Sequence, residues 1–553
     1  MGTPMNADTL PTLFRQQADR LGPRVALRDK KHGLYRDLRW DEYRDHVNAC
    51  AAALVQANIQ PGDRVGILAE NRAEWLVADM AILSIGAVNV PLHAPLSAQQ
   101  VAHQLNDAWV RFLFISNAGQ YEKVQALKAE VSGLSDIVAF DEVAAPGVRS
   151  WSGFLQRGRA ARTSLQAELS HREAHLKPDD LATIIYTSGT TGNSKGVMLT
   201  HGNLCSNALA FQQISPFGPD SVFLNWLPFS HIYARTVDIY LAVAVGATLC
   251  LAEAQETLVA NLMEIQPTHM NGVPRFYEKV LAAVQDKDPA VMQKKLRAIF
   301  GPHIDFLGSG GAPLPVAVAQ AFKDKGLLLL QGYGLTESSP VISFNRKDAF
   351  KIDSVGRAIP GVEVRIGADG EVLTRGPHVM PGYWNNPQAT TETIIDGWLH
   401  TGDLGRLDDD GFLYITGRKK ELLVLSNGKK VVPSHIEGIL LADPCIDQVV
   451  VCGEGRNFLA ALVVPHWANL KQAAGIDSGD TEALARDPKV QIFLDKRIQQ
   501  TLTGVAAWEQ VKKIVVLAQP FSLGNDELTV SLKLRRSVIL DHHRQELEKL
   551  YRE

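Results

Sequence analysis

The sequence predicts an α/β chain. A large body of mostly parallel sheets covered by helices comes first, then an antiparallel, turn-rich stretch, then a mixed α+β ending. Three observations carry this. Through the first half, short and wholly apolar strand runs alternate with helix-length amphipathic runs, the pattern of strands buried on both faces. After Asp353 two hairpin signals appear, at Asp369 with Gly370 and at Asp410 with Gly411. From Arg418 onward apolar strands and charged helical runs intermix.

In chain order, residues 41–56 carry helix-spaced apolar positions with an Ala-rich stretch, and 65–69 (VGILA) is a short apolar strand. A helical run at 72–84 follows, then Gly86 and the strand at 87–92. RFLFIS (111–116) and LATIIYTS (181–188) read as buried strands, and VMLT (197–200) as another, with a helical run only after His201. The stretch 147–178 is polar and Arg-rich without a strong period, and reads as a surface connection. A boundary at Gly417 and Arg418 divides the chain into 1–417 and 418–553, the latter ending in a charged helical tail at 537–553.

Composition narrows the function classes. The 553 residues hold about three to four domains' worth of chain, and 46% hydrophobic with 21% charged residues is ordinary globular usage. That excludes disorder, collagen and coiled coil as the main architecture. Lys plus Arg is 56 against 60 Asp plus Glu, a net charge of −4, which argues against a general nucleic-acid binder. Cys50, Cys205, Cys250, Cys445 and Cys452 are widely spaced without a C-x-x-C, so neither a disulfide framework nor a zinc site is expected. A reducing, cytoplasmic compartment follows. The first 20 residues hold no signal-peptide core. The uncharged run 239–252 is shorter than the ~20 residues of a spanning helix. The longer run 80–106 carries Asn, Gln and His, and both runs read as buried core.

The strongest chemical signal runs from Tyr186 to Gly196, YTSGTTGNSKG. A strand enters a loop of Thr187, Ser188, Gly189, Thr190, Thr191 and Gly192, and Lys195 follows. Glycines let successive N–H groups converge on an anion, hydroxyls add donors, and a lysine adds a point charge suited to phosphate. Ser194 stands where a Walker A loop needs its second glycine. The same segment matches G-x-S-x-G, but the strand ends too early and a strand rather than a helix follows, so Ser194 is not expected to be a nucleophile. Gly308 to Pro313 departs from a dinucleotide fingerprint at its last position, and Asp408 to Gly411 departs from a calcium loop at its first ligand.

TSGTTGNSKG, LPFSHIYAR (227–235), SGGAPL (309–314), QGYGLTES (331–338), GWLHTGDLG (397–405), TGRKKELL (416–423) and LTVSLKLRR (528–536) occur in this order. Together they resemble the adenylate-forming superfamily of acyl-CoA synthetases, adenylation domains and luciferases. LPFSHIYAR and GVPRFYEKV (272–280) are most similar to its long-chain fatty acyl-CoA synthetase branch. The resemblance covers the chain from near residue 10 to its end. It implies a small β-barrel-like subdomain in the N-terminal body and a mobile C-terminal lid. The reaction it implies is ATP-dependent activation of a medium- to long-chain fatty acid to acyl-AMP, followed by thioester formation with coenzyme A. A carrier-protein-loading acyl-AMP ligase and a catalytically silent homologue are the other readings.

Residue roles follow from the same resemblance. The loop 187–195 would hold the β- and γ-phosphates. Glu337 matches the family's Mg²⁺ ligand, with Thr187 as a second; an acid at a helix N-terminus is the bland alternative. Gly310, Gly311, Gln331, Gly332, Tyr333 and Thr336 would line the adenine and α-phosphate. Asp403 matches the residue that holds the ribose, Arg418 a nucleotide contact, and Lys420 the hinge. Lys533 matches the lysine that bridges carboxylate and α-phosphate. Val530 stands where relatives often have Pro, Asn193 and Ser194 replace a Pro-bearing loop, and Val424 replaces a Lys of some relatives. His231 would border the acyl pocket and orient the carboxylate, with a satisfied core histidine as the competing reading. Trp226 and Tyr233 would narrow the pocket. An apolar substrate favours contact at a membrane surface, although the sequence offers no clear amphipathic anchor.

Overall fold

The structure, a computed structural model, describes residues 7–131, 133–187, 194–476, 479–522, 524–528 and 534–552. Two large sheets form the N-terminal body. The first has eight strands, in the order Gly382–Tyr383, Lys195–Thr200, Leu181–Thr187, Val88–Leu92, Arg64–Leu68, Val110–Ile115, Asp136–Ala139 and Val148–Ser150. From Leu181–Thr187 to Val148–Ser150 every pairing is parallel. The second sheet has nine strands. Its parallel heart places Val222–Asn225, His269–Gly272, Phe306–Ser309 and Leu329–Gly334 side by side. Apolar runs without alternation thus became strands covered on both faces, as the pattern predicts.

A buried polar network joins the two sheets. Arg235, fully buried, forms an ion pair with Asp79 and donates to Thr183 Oγ1 at 2.7 Å and to the Tyr240 hydroxyl at 2.7 Å. Tyr240 donates to Asp79 Oδ2 at 2.9 Å. Asp79 lies in helix Ala73–Ser84 and Thr183 in the first sheet, whereas Arg235 follows a strand of the second. Removing one partner strands the other charge in the core. Arg235→Ala is therefore expected to destabilise the N-terminal body by ~3–5 kcal/mol. A denaturation midpoint equal to the wild type's would contradict this.

One expected connection is a helix. Trp151–Ala174 is a 24-residue helix packed along Trp40–Gln56. It buries Phe154, Leu155, Gly158 and Ala161. A Cβ at Gly158 would fall 1.8 Å from the Ala49 carbonyl oxygen, so the two helix backbones touch through small residues. A seam of Gly and Ala carries little hydrophobic period, which is why the sequence reads as surface. Arg15 and Arg172 anchor its end, Arg172 donating to the Ile59 carbonyl at 2.8 Å.

Both hairpins form. Glu363–Ile366 pairs with Glu371–Arg375, and Trp398–Leu407 with Leu413–Arg418. Gly370 and Gly411 take φ of 84° and 79° at the turns. They belong to a five-stranded antiparallel sheet. Among the described residues no pairing joins its end strands. After residue 418 a separate core forms around strands Ile446–Cys452, Leu459–Pro465 and Val511–Val516. The tail is two helices, Arg536–His542 and Arg544–Arg552, tied back by Arg536 to Glu437 at 2.7 Å.

Candidate active site

Thr187, Trp226, Gly310, Gly311 and Gln331 lie at or just past the carboxyl ends of parallel strands, where open α/β sheets place their ligands. Thr187 stands opposite Lys195, and Tyr186 opposite Gly196, so the hairpin holds both roots of the glycine-rich loop together. Ser188, Gly189, Thr190, Thr191 and Gly192 lie outside the described residues. Ser194 leads into strand Lys195–Thr200, and the next helix starts only at His201, which is not the strand–turn–helix of a nucleophile elbow.

Lys195 and Glu337 meet through a residue the sequence reading did not single out. Lys195 Nζ lies 5.0 Å from the centre of the Tyr383 ring, and the Tyr383 hydroxyl donates to Glu337 Oε1 at 2.9 Å. Tyr383 pairs in register with Val197, just beyond Lys195. Trp384 extends this clamp, its backbone N–H donating to the Gly196 carbonyl at 2.8 Å. Burial, then the charge of Glu337, push the Tyr383 phenol above its ordinary range, so it stays a donor.

Gln331, Gly332 and Tyr333 lie in strand Leu329–Gly334, and Thr336 and Glu337 in the single turn Thr336–Ser338. The Tyr333 hydroxyl donates to Asp403 Oδ2 at 2.7 Å, and Arg418 Nε lies 2.9 Å from Asp403 Oδ1. Asp403 and Arg418 face each other across their hairpin, with Asp403 only 3% exposed. Burial draws the Arg418 guanidinium down, but the charges of Asp403, Glu421 and Glu337 outweigh it and hold the group above its usual value. Asp403, Arg418, Tyr333 and Glu337 therefore share one electrostatic neighbourhood.

Gly310 and Gly311 follow strand Phe306–Ser309, whose Ser309 pairs with Gln331. A Cβ at Gly310 would lie 2.9 Å from Tyr233 Cζ, so this strand end rests on the Tyr233 ring. Trp226 donates its indole N–H to the Asn271 carbonyl at 2.9 Å and packs against Phe276. His231 Nδ1 accepts the Tyr233 N–H at 3.2 Å, capping the short helix Ile232–Ala234. Trp226 and Tyr233, both bonded to Asn271, thus form one wall, with Tyr233 against Gly310 and His231 capping the short helix that carries Tyr233. Lys420 is exposed in the turn Lys419–Glu421, and it is Lys419 that pairs with Asp369 at 2.6 Å. Lys533 and Val530 lie outside the described residues.

The donor set suits Mg²⁺ rather than a dedicated cage. Among the described residues no group of three or more His, Cys, Asp or Glu side chains converges. A single carboxylate such as Glu337 is enough for a hard, hydrated ion when substrate phosphates complete its shell.

Residues 14–384 match the model of the AMP-binding enzyme family, and residues 420–553 that of the AMP-binding enzyme C-terminal domain. The chain belongs to the AMP-binding enzyme family. Relatives of this AMP-binding enzyme include the long-chain-fatty-acid–CoA ligase FadD15 of Mycobacterium bovis, 33% identical over 94% of this chain and 93% of the relative. The long-chain-fatty-acid–CoA ligase heimdall of Drosophila melanogaster is 28% identical over 98% and 95%. In fold, the anthranilate CoA ligase AuaEII in complex with anthranoyl-AMP superposes with a TM-score of 0.79 at 19% identity, covering 98% of both chains. Among the described residues no helix is long and apolar enough to cross a membrane.

Proposed function

We propose that this AMP-binding enzyme is an AMP-forming acid–thiol ligase that converts a medium- to long-chain fatty acid to its coenzyme A thioester. The carboxylate attacks the α-phosphorus of ATP and pyrophosphate leaves; the thiol of coenzyme A then attacks the acyl-adenylate and AMP leaves. The observation that carries this reading is the convergence of Lys195, Glu337, Tyr333, Asp403 and Arg418 in a chain similar along nearly its full length to long-chain fatty acid–CoA ligases.

The chemistry needs fixed positive charge and donors, since negative charge spreads over several phosphate oxygens at once. Lys195 and the 187–192 loop hold the β- and γ-phosphates. Glu337 and Thr187 would hold Mg²⁺, which would supply positive charge against the growing negative charge of the phosphates. Gly310, Gly311, Gln331, Gly332 and Thr336 border the adenine and α-phosphate, and Tyr333 and Arg418 steer Asp403 toward the ribose hydroxyls. Trp226, His231 and Tyr233 line the carboxylate end of the acyl pocket. The boundary falls between Gly417 and Arg418, and Lys420, exposed beside it, is the hinge of a lid that brings Lys533 to the reacting atoms.

Preformed fatty acyl-AMP, offered with coenzyme A or with a carrier protein, tests the acceptor. Thioester should form with coenzyme A; transfer to the carrier protein alone would make this an acyl-AMP ligase.

A further inference from the structure

Behind the wall of Trp226 and Tyr233 lies a buried polar chain that none of the steps above uses. Asp238 is 2% exposed. Its Oδ1 accepts the Asn271 amide at 2.7 Å and its Oδ2 the Asn225 amide at 2.7 Å. Asn271 in turn accepts the Tyr233 hydroxyl at 3.4 Å and, through its carbonyl, the Trp226 indole N–H at 2.9 Å. On the other side Asn225 accepts the Asn71 amide at 2.8 Å. Asn71 donates to the Leu227 carbonyl at 2.7 Å and accepts the Phe229 N–H at 2.9 Å. The chain therefore grips segment 226–229 from below and ends at the Tyr233 ring on which Gly310 rests.

Among the described residues no ion pair reaches Asp238, and the helical wind accounts for this. Residues Arg235–Tyr240 form a π-helical turn, a wind that recurs at functional sites. It sets Arg235 beside Tyr240, five residues on, and both bind Asp79 on the first sheet's side. In an α-helical wind Arg235 and Asp238, three apart, would be neighbours on one face. The titratable groups that feel Asp238 are the buried phenols of Tyr233 and Tyr277. Burial pushes the carboxyl up to about 7, against the pull of the two amide bonds. The ionised carboxylate accepts from both amides; once protonated, one oxygen becomes a donor and faces an N–H.

We propose that Asp238 is a positioning residue of the acyl pocket: ionised, it holds Asn225 and Asn271 and so fixes segment 226–229 and Tyr233 in place for the fatty acid. This rests on the acyl-CoA ligase reading. Asp238→Asn keeps the shape and removes the titration. In the wild type, kcat/KM for the fatty acid should rise with pH through about 7. In Asp238→Asn that limb should vanish and the fatty-acid KM should rise several-fold, with the KM for ATP held within about twofold. A limb that survives in the variant, or equal rises in both KM values, would overturn the proposal.

Thermal unfolding gives a readout that needs no turnover. A carboxyl whose folded pKa lies above its ordinary value stabilises the fold at low pH and loses that contribution as pH rises through about 7. The wild-type Tm minus the Asp238→Asn Tm should therefore fall between about pH 5 and about pH 8. A flat difference would contradict an ionising Asp238, whatever the turnover; absent wild-type turnover with a sloping difference would indict the ligase reading instead. Should Asp238→Asn not fold, Tyr233→Phe cuts the chain at its far end. It should raise the fatty-acid KM with the pH limb intact, and an unchanged KM would overturn the proposal.

Discussion

Glu337→Gln should lower fatty-acid-dependent pyrophosphate release by about 10²–10³-fold and raise the Mg²⁺ concentration needed for half-maximal rate. Glutamine preserves the shape and the acceptor for the Tyr383 hydroxyl, so the turn Thr336–Ser338 and the clamp on Lys195 survive. What disappears is the charge that a hard cation requires. Tyr383→Phe is the informative partner. It keeps the ring under Lys195 but removes the bond to Glu337, and should produce a smaller loss in the same direction. Pyrophosphate release measured against Mg²⁺ separates the two. A Glu337→Gln enzyme with wild-type rate and Mg²⁺ dependence would place the metal elsewhere.

Lys533→Ala should lower adenylation by about 10²–10³-fold while sparing both ATP binding and thioester formation from preformed acyl-AMP. The charge it would supply matters where carboxylate and phosphate oxygens meet, and that charge pair exists only in the first half-reaction. Two other lysines are close in sequence, but both sit on strand Val511–Val516 or its start and are engaged. Lys513 donates to the Leu550 carbonyl at 2.9 Å and Lys512 to Gln510 Oε1 at 3.0 Å. Unchanged adenylation in Lys533→Ala would assign the role to another lysine. Equal loss of both half-reactions would point to a folding defect of the C-terminal unit.

Strands of the first sheet were readable because a strand buried on both faces leaves an unbroken apolar run, as in 65–69 and 111–116; the parallel strands of the second sheet, such as His269–Gly272, are short and carry polar residues and were not singled out. Helix Trp151–Ala174 was not, because its contact with Trp40–Gln56 is made by Gly158 and alanines rather than by large apolar residues at helical spacing. In the candidate site, Asp403 and Arg418 were picked out by the motifs that carry the family resemblance, and the hairpin between them sets the pair in register. Tyr383 was not, since only the pairing of a distant two-residue strand brings it beside Lys195 and Glu337. Its one local trace is the sequence Gly-Tyr-Trp after Pro381. Asp238 was hidden for another reason: it stands just before the uncharged run 239–252, three residues after Arg235, and nothing in the sequence marks the π-helical wind that sets Arg235 beside Tyr240 instead.

The most direct test is turnover with ATP, Mg²⁺ and coenzyme A against straight-chain acids of about eight to about eighteen carbons, following pyrophosphate, AMP and thioester together. The expected result is fatty-acid-dependent pyrophosphate release without coenzyme A, at least as a single-turnover burst, and stoichiometric acyl-CoA and AMP once coenzyme A is added. Release of ADP and phosphate, or no fatty-acid-dependent pyrophosphate and no thioester with any acid in the series, would contradict it.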